Sequence, residues 1–254
     1  MSSLANHVKD NFRGMLVFGD IHADYDSFVR AHDYAVANDL FFMSLGDLVD
    51  RGMKPFETVS HMHRLMKTGK AGFTIGNHDN KFCRHAKGNK VSFSRDGNAT
   101  FATVGEERRD EFLQMYVEIV EMPLFSGFFH RFDDIVIAHA ASHVSMWEPN
   151  GKHSKTAEAR MMYGETNGKM MDDGYPVRLY NWIEEVPMGK TIIVGHDRMP
   201  VFDKPITEPL HQTNANGGKV IFMDTGCGKG GFLTGAVVVP GKHGFKIEQY
   251  VEFK

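Results

Sequence analysis

Carboxylate, imidazole and amide side chains recur in five short segments of this chain. They are Gly19-Asp20-Ile21-His22, Gly46-Asp47-Leu48-Val49-Asp50-Arg51-Gly52, Gly76-Asn77-His78-Asp79, Ala138-His139-Ala140 and Gly195-His196-Asp197. Brought together, Asp20, His22, Asp47, Asn77, His139 and His196 would form a mixed oxygen and nitrogen shell for divalent cations, with Mn or Fe the best match and Ni or Zn as further candidates. Two ions ~3.5–4 Å apart need a carboxylate bridge. Asp47 is the natural bridge, lying in sequence between the Asp20/His22 pair and the Asn77/His139/His196 set. A water held between two such ions loses a proton near neutral pH, and the hydroxide attacks phosphorus in line. His78, next to Asn77, is placed to protonate the leaving alkoxide. Asp50 can orient His78 and keep it charged, and Arg51 offers a bidentate fork to phosphate oxygens.

Taken singly, each segment has an ordinary explanation. Asp47 and Asp50 suit a helix N-terminus, Asn77 and Asp79 suit a turn, and a lone His139 or His196 suits a structural hydrogen bond. The positions argue otherwise. Each segment follows a short apolar run, at residues 15–18, 40–45, 71–75, 135–138 and 191–194. Such runs read as buried strands, and loops at the carboxyl ends of strands form the ligand crevice of open α/β sheets. Chance would have to place five clusters at the ends of five strands. The joint pattern is specific.

The elements that position these loops can be read between them. Phe28, Ala31, Ala35 and Val36 recur at helical spacing within residues 24–38, and Pro55 opens a helix bearing Phe56, Val59, Met62 and Met66. The alternation of strand and helix implies parallel strands with right-handed crossovers. Residues 81–105 lose the pattern in a polar, basic stretch, and a helix is expected over 106–120, burying Phe112, Met115, Tyr116 and Ile119. A turn is expected at Asp133-Asp134. Residues 149–187 read as a partly helical excursion over the strand ends. Strands are expected at 220–223, 232–239 and 247–253, the three forming a meander. The expected architecture is one α/β domain over residues 1–254, a two-layer mixed β-sandwich flanked by helices.

Composition narrows the class. With 29 Lys+Arg against 32 Asp+Glu, the 254-residue chain carries a formal net charge of −3, which excludes a global field pulling it onto nucleic acid. No apolar run approaches the ~18 residues of a membrane span. The first dozen residues lack the apolar core of a secretory signal. Cys83 and Cys227 are the only cysteines, so no disulfide framework exists and a reducing cytoplasm is the expected location. His130, His143 and the His61/His63 pair are read as bystanders.

At this point the segments resemble a family, the calcineurin-like metallophosphoesterases, in their phosphoprotein-phosphatase branch. The resemblance implies the same assignment: Asp20, His22, Asp47, Asn77, His139 and His196 as metal ligands, Asp50 and His78 as the acid pair, and Arg51 on phosphate. Two positions depart from the family pattern: Ala23 where it has Gly, and Asp79 where Ser/Thr protein phosphatases have Glu. Asn77-His78-Asp79-Asn80-Lys81-Phe82-Cys83-Arg84, Tyr175-Pro176-Val177-Arg178 and Asp224-Thr225-Gly226-Cys227 are similar to the phosphatase module of bacterial polynucleotide kinase-phosphatase and its bis(5'-nucleosyl)-tetraphosphatase relatives. No Gly-x-x-x-x-Gly-Lys-Ser/Thr loop is present, so no kinase module is expected.

Three further residues are candidates beyond the core. Arg84 and Arg178 are expected to bind phosphate groups, Arg178 with the alternative of pairing with Asp172 or Asp173. Asp224 is expected to orient His196 as a carboxylate behind the ligand, or else to cap the 226–231 turn. The reading is a phosphoesterase using two divalent ions on nucleotides or nucleic-acid ends, phosphomonoesters and 2',3'-cyclic diesters included. The alternatives are a free-standing Ser/Thr or Tyr protein phosphatase and an inactive metal-binding interaction protein. The complete ligand, acid and arginine set argues against the last.

Overall fold

A computed structural model describes residues 3–148, 150–172, 174, 176–198 and 205–254. Pro149, Asp173 and Tyr175 lie outside the described residues. In chain order the strands are β1 (Gly14–Phe18), β2 (Leu40–Ser44), β3 (Ala71–Thr74), β4 (Ser126–Gly127), β5 (Phe129–Phe132), β6 (Ile135–Ala138), β7 (Glu165–Met170), β8 (Pro176–Leu179), β9 (Thr191–Val194), β10 (Leu210–Thr213), β11 (Lys219–Phe222), β12 (Leu233–Gly241) and β13 (Gly244–Phe253). The helices are α1 (Leu4–Asn11), α2 (Tyr25–Ala37), α3 (Pro55–Lys67), α4 (Asn77–Ala86), α5 (Arg95–Val104), α6 (Glu106–Val120) and α7 (Lys155–Tyr163).

One sheet has the order β13-β12-β1-β2-β3-β4 and the other β10-β11-β9-β6-β5. Side-chain alternation explains how they stack. In β1, Met15 and Val17 enter the core shared with the second sheet, while Leu16 and Phe18 face α2, α3 and α6. Strand β6 does the same: Ile135 and Ile137 point to the shared core, and Val136 and Ala138 face α7 and Trp182. Strands apolar on both faces belong in the middle of such a sandwich. The expected two-layer, helix-flanked architecture is what the chain forms.

Strands β1, β2 and β3 are mutually parallel, and so are β6, β9 and β11. All carboxyl ends of a parallel set lie at one edge. The two edges are stitched together there: His196 N–H, beyond β9, donates to Asp20 Oδ1, beyond β1, at 2.8 Å.

Two expectations change, and one element is new. The meander fails because β11 is not beside β12; it lies between β10 and β9 in the second sheet. Its Val220 and Phe222 face the outer layer and Ile221 the shared core, so both faces demand cover. The polar stretch at 81–105 is also more ordered than its composition suggests. Helix α4 runs to Ala86, and α5 starts from Ser94, whose hydroxyl accepts from Gly97 N–H. At the start of the chain, α1 buries Leu4, Ala5 and Val8 in the shared core. The 149–187 excursion is partly helical as expected, holding α7, the β7–β8 hairpin and a short 3-10 turn at Asn181–Glu185. No helix among the described residues is long and apolar enough to cross a membrane.

Candidate metal centre

Each of the six candidate ligands sits just beyond a parallel strand: Asp20 and His22 after β1, Asp47 after β2, Asn77 after β3, His139 after β6 and His196 after β9. Asp20, His22 and Asp47 present ligand atoms within 4.8 Å of one another, and so do Asp47, His139 and His196. Asp47 belongs to both groups, the place a bridge must occupy. Asn77 Oδ1 lies 3.1 Å from His139 Nε2, and His139 Nε2 lies 3.1 Å from His196 Nδ1 and 3.4 Å from Asp47 Oδ2.

The polar atoms left over test whether ions fit. Asp20 Oδ2 and His22 Nε2 are buried without a hydrogen-bond partner, which a protein interior rarely tolerates unless something binds them. The outer ring nitrogens are used to aim the inner ones. His22 Nδ1 donates to Val49 O at 3.1 Å and His139 Nδ1 to Leu45 O at 2.7 Å, leaving each Nε2 lone pair turned inward. Burial pushes His22 down to about 3, in the neutral form a ligand requires. Burial opposes a proton on His139 as well, but the Asp47 carboxylate outweighs it and raises His139 to about 9. A cation between them would replace that proton. The donor set suits borderline and hard divalent ions.

The loops are bent to make this possible. His22, Ala23, Asp47, Arg51 and His196 all take positive φ, between 50° and 76°. Non-glycine residues hold such conformations only where surrounding structure enforces them. Gly76 and Gly195 precede Asn77 and His196 where a carboxylate of another loop comes close. A Cβ on Gly76 would meet Asp47 Oδ1 at 2.3 Å, and one on Gly195 would meet Asp20 Oδ1 at 2.4 Å. Asp79, one of the two departures from the family pattern, clamps the bridging loop: its carboxylate accepts Asp47 N–H at 2.6 Å and Leu48 N–H at 3.1 Å. Tyr116 O–H adds a third donor at 3.2 Å. Burial and the nearby Asp47 raise Asp79 to about 7.

His78 lies in the first turn of α4, with its N–H on Asp47 Oδ1 at 3.0 Å and its ring Nδ1 on Asp50 Oδ2 at 2.6 Å. Burial works against a charged ring here, yet Asp47 and Asp50 together raise its pKa. Thr100 O–H holds the other Asp50 oxygen at 2.6 Å. This third member comes from α5, in the stretch that sequence reading passed over. Arg51 Nε lies 3.4 Å from Asp96 Oδ2, again from α5, and its side chain lines a cavity of about 810 Å³ over the centre.

The outer candidates divide. Arg178 faces the cavity from β8, with Nη1 2.7 Å from His196 Nε2 and 3.1 Å from Tyr163 O, and Nε 3.4 Å from Asp197 Oδ2. Of the two partners suggested for it, Asp172 is replaced by Asp197, and Asp173 is outside the described residues. Arg84 does not line the cavity. It is exposed one turn beyond Lys81, and Lys81 faces the space instead. Asp224 is not the carboxylate behind His196, because both ring nitrogens of His196 already face His139 and Arg178. Asp224 Oδ1 accepts Gly226 N–H at 2.9 Å, capping the turn, and Oδ2 holds Lys229 at 2.9 Å. Sequence reading missed Thr100, Arg198 and Lys229. The Ser94 cap signal could have revealed the helix carrying Thr100, whereas nothing local marks the other two. Of the bystander histidines, His130 donates to Phe73 O and His63 meets Glu118. His61 contacts Tyr25, and His143 contacts Ser145. Cys83 and Cys227 are free, buried thiols.

The pattern of the calcineurin-like phosphoesterases matches residues 15–223. An asymmetrical bis(5'-nucleosyl)-tetraphosphatase PrpE from Halalkalibacterium halodurans is 29% identical over 234 residues, spanning 86% of this chain and 87% of that protein. The PrpE of Bacillus subtilis is 27% identical over 232 residues, spanning 86% and 88%. A crystal structure provisionally assigned as a diadenosine tetraphosphatase aligns with a TM-score of 0.56 at 21% identity, over 96% of this chain and 95% of that one. A protein serine/threonine phosphatase from Saccharomyces cerevisiae aligns with a TM-score of 0.52 at 12% identity, over 99% and 86%. At those identities the two structures speak for the fold alone.

Proposed function

The chain belongs to the calcineurin-like phosphoesterase family, and from that premise we propose that it hydrolyses nucleotide phosphate esters, dinucleoside polyphosphates foremost. The observation that carries this reading is the sharing of Asp47 between two ligand groups, beside the Asp50–His78 pair and under a cation-lined cavity. The names of the PrpE relatives support the substrate class. Bound divalent ions, Mn²⁺ the first candidate, would supply Lewis acidity and a lowered pKa for water. Asp20, His22 and Asp47 would hold one ion, and Asp47, Asn77, His139 and His196 the other.

The chain's own groups do the rest. Arg51 and Arg178 line the cavity and orient the reacting phosphoryl group through their guanidinium forks. His78, kept charged by Asp50, gives its Nε2 proton to the departing oxygen. Thr100 holds the Asp50 carboxylate so that the ring keeps its aim. The cytoplasm fits a chain of two free thiols.

A hydrolysis panel with Mn²⁺ tests this reading. It compares diadenosine tetraphosphate, 2',3'-cyclic AMP, p-nitrophenyl phosphate, its bis diester, and phosphoserine and phosphotyrosine peptides. The expected result is the highest kcat/KM on the dinucleoside polyphosphate. Preference for the peptides would replace the reading with a protein phosphatase, and silence with Mn²⁺, Fe²⁺ and Ni²⁺ alike would end it.

A further inference from the structure

Arg51 and Arg178 suffice to hold one phosphoryl group, yet Lys81, Arg198 and Lys229 also line the cavity. Arg198 and Lys229 form a connected arm. Lys229 Nζ lies 2.9 Å from Asp224 Oδ2 and 3.7 Å from Asp20 Oδ2, which fixes this arm on the Asp20 side of the centre. Arg198 Nη1 donates to Lys229 O at 3.0 Å. Its guanidinium lies against Gly226, where φ is +86° and a Cβ would sit 2.4 Å from Arg198 Nε. The turn is therefore shaped around this guanidinium.

Among the described residues Arg198 faces no anion and makes no ion pair, and its Nε is buried without a hydrogen-bond partner. Asp224 and Asp20 face the neighbouring ammonium rather than the guanidinium. A planar fork of donors held beside a second cation in a partly closed space is unfavourable until a multiply charged anion arrives. Phosphate oxygens match that fork.

We propose that Arg198, held in place by the Lys229 turn, is a second anion subsite that binds the phosphate adjacent to the one being cleaved in a polyphosphate chain. It makes chain length a recognised feature of the substrate, since a simple monoester reaches only Arg51 and Arg178. This inference rests on the nucleotide-polyphosphate reading above. It also separates two tasks: Lys229 is a positioning residue, and Arg198 touches the ligand.

The test uses inorganic orthophosphate and tripolyphosphate as competing probes on the Mn²⁺-supplemented protein, at fixed free Mn²⁺. Their affinities are read from inhibition of p-nitrophenyl phosphate hydrolysis and from direct calorimetric titration. Arg198→Gln should weaken tripolyphosphate by about ten-fold or more, the scale of a lost charge-assisted contact, and orthophosphate far less. Arg198→Lys should recover part of the loss. Equal weakening of both probes, or no change in tripolyphosphate affinity, overturns the subsite. If the wild-type protein cleaves p-nitrophenyl phosphate but leaves diadenosine tetraphosphate intact, the substrate reading fails while the probe comparison still decides the subsite.

Discussion

The floor and the wall of the cavity are built by different means. The floor is a set of strand ends: Asp20, Asp47 and His139 are buried, Asp47 itself and the His22-Ala23 turn after Asp20 take positive φ, and each of the three side chains is tied to a backbone group of a neighbouring turn. The wall is made of the β7–β8 hairpin, Asp197–Arg198 and the Lys229 turn, half-exposed and tied by side-chain contacts such as Tyr180 O–H to Asp197 at 2.6 Å. A floor so constrained holds reacting groups in one geometry, which electrostatic catalysis requires. A wall of long cations carried by a hairpin and two loops can change with far less effect on the chemistry beneath it. Chemistry and choice of substrate are thus carried by separable parts.

That separation is open to attack, and the largest effect should come from the floor. Asp47→Asn weakens both ion sites at once, so kcat should fall by upward of ~10³-fold, beyond the loss of a single stabilising group. Elemental analysis should show fewer than two ions per chain. Two retained ions would remove Asp47 from the bridge. His78→Ala should keep both ions and lose ~10²–10⁴-fold on alkyl phosphates, the usual span of general acid catalysis. On p-nitrophenyl phosphate, whose leaving group needs little help, the loss should be much smaller. A uniform loss on both substrates would mean that His78 orients rather than protonates.

Thr100→Val sharpens the boundary, because Thr100 stands in α5 and touches only Asp50 among the acid-pair residues. Removing its hydroxyl should cost ~10-fold in kcat, the lower end for groups behind a reactive one. The metal content should stay unchanged. If kcat is unaffected, the acid pair is held by α4 alone.

Thr100 also marks where sequence reading ran out. Asp20 through His196 were legible because each ligand follows a strand within a few residues, with a glycine between them everywhere but at His139, so local spacing carried the geometry. The helix over 106–120 and the turn at Asp133-Asp134 were legible by the same local logic. Strand β11 was not, since an apolar run does not say which sheet it enters; only the pairing with β9 and β10 does. Arg84 and Lys81 are equally basic in sequence, and one turn of α4 decides which faces the cavity. Arg198 depends on Gly226, 28 residues onward, and Asp224 on Lys229 in a turn whose shape no motif announced.

The smallest effect separates the scaffold from the site by pH. His130 is buried on β5 and its Nε2 donates to Phe73 O of β3 at 2.9 Å, a tie between the two sheets. Burial lowers it to about 4, from an unfolded value near 6.5. The fold therefore favours the neutral ring. Its contribution is fully present above about pH 6.5 and is lost as pH falls through about 4, ~3 kcal/mol over the whole window. His61, lowered to about 4 mainly by burial and by His32, adds to the same slope. Urea unfolding in EDTA at pH 7 and pH 5 isolates the scaffold from ion release. His130→Gln should be less stable at pH 7 by ~1–3 kcal/mol, through the disturbed bond to Phe73 O. It should also lose less on moving to pH 5 than the unmodified chain does. An unchanged pH 7 to pH 5 difference would show that acid acts on the fold through other groups, and that the tie between the sheets carries no charge switch.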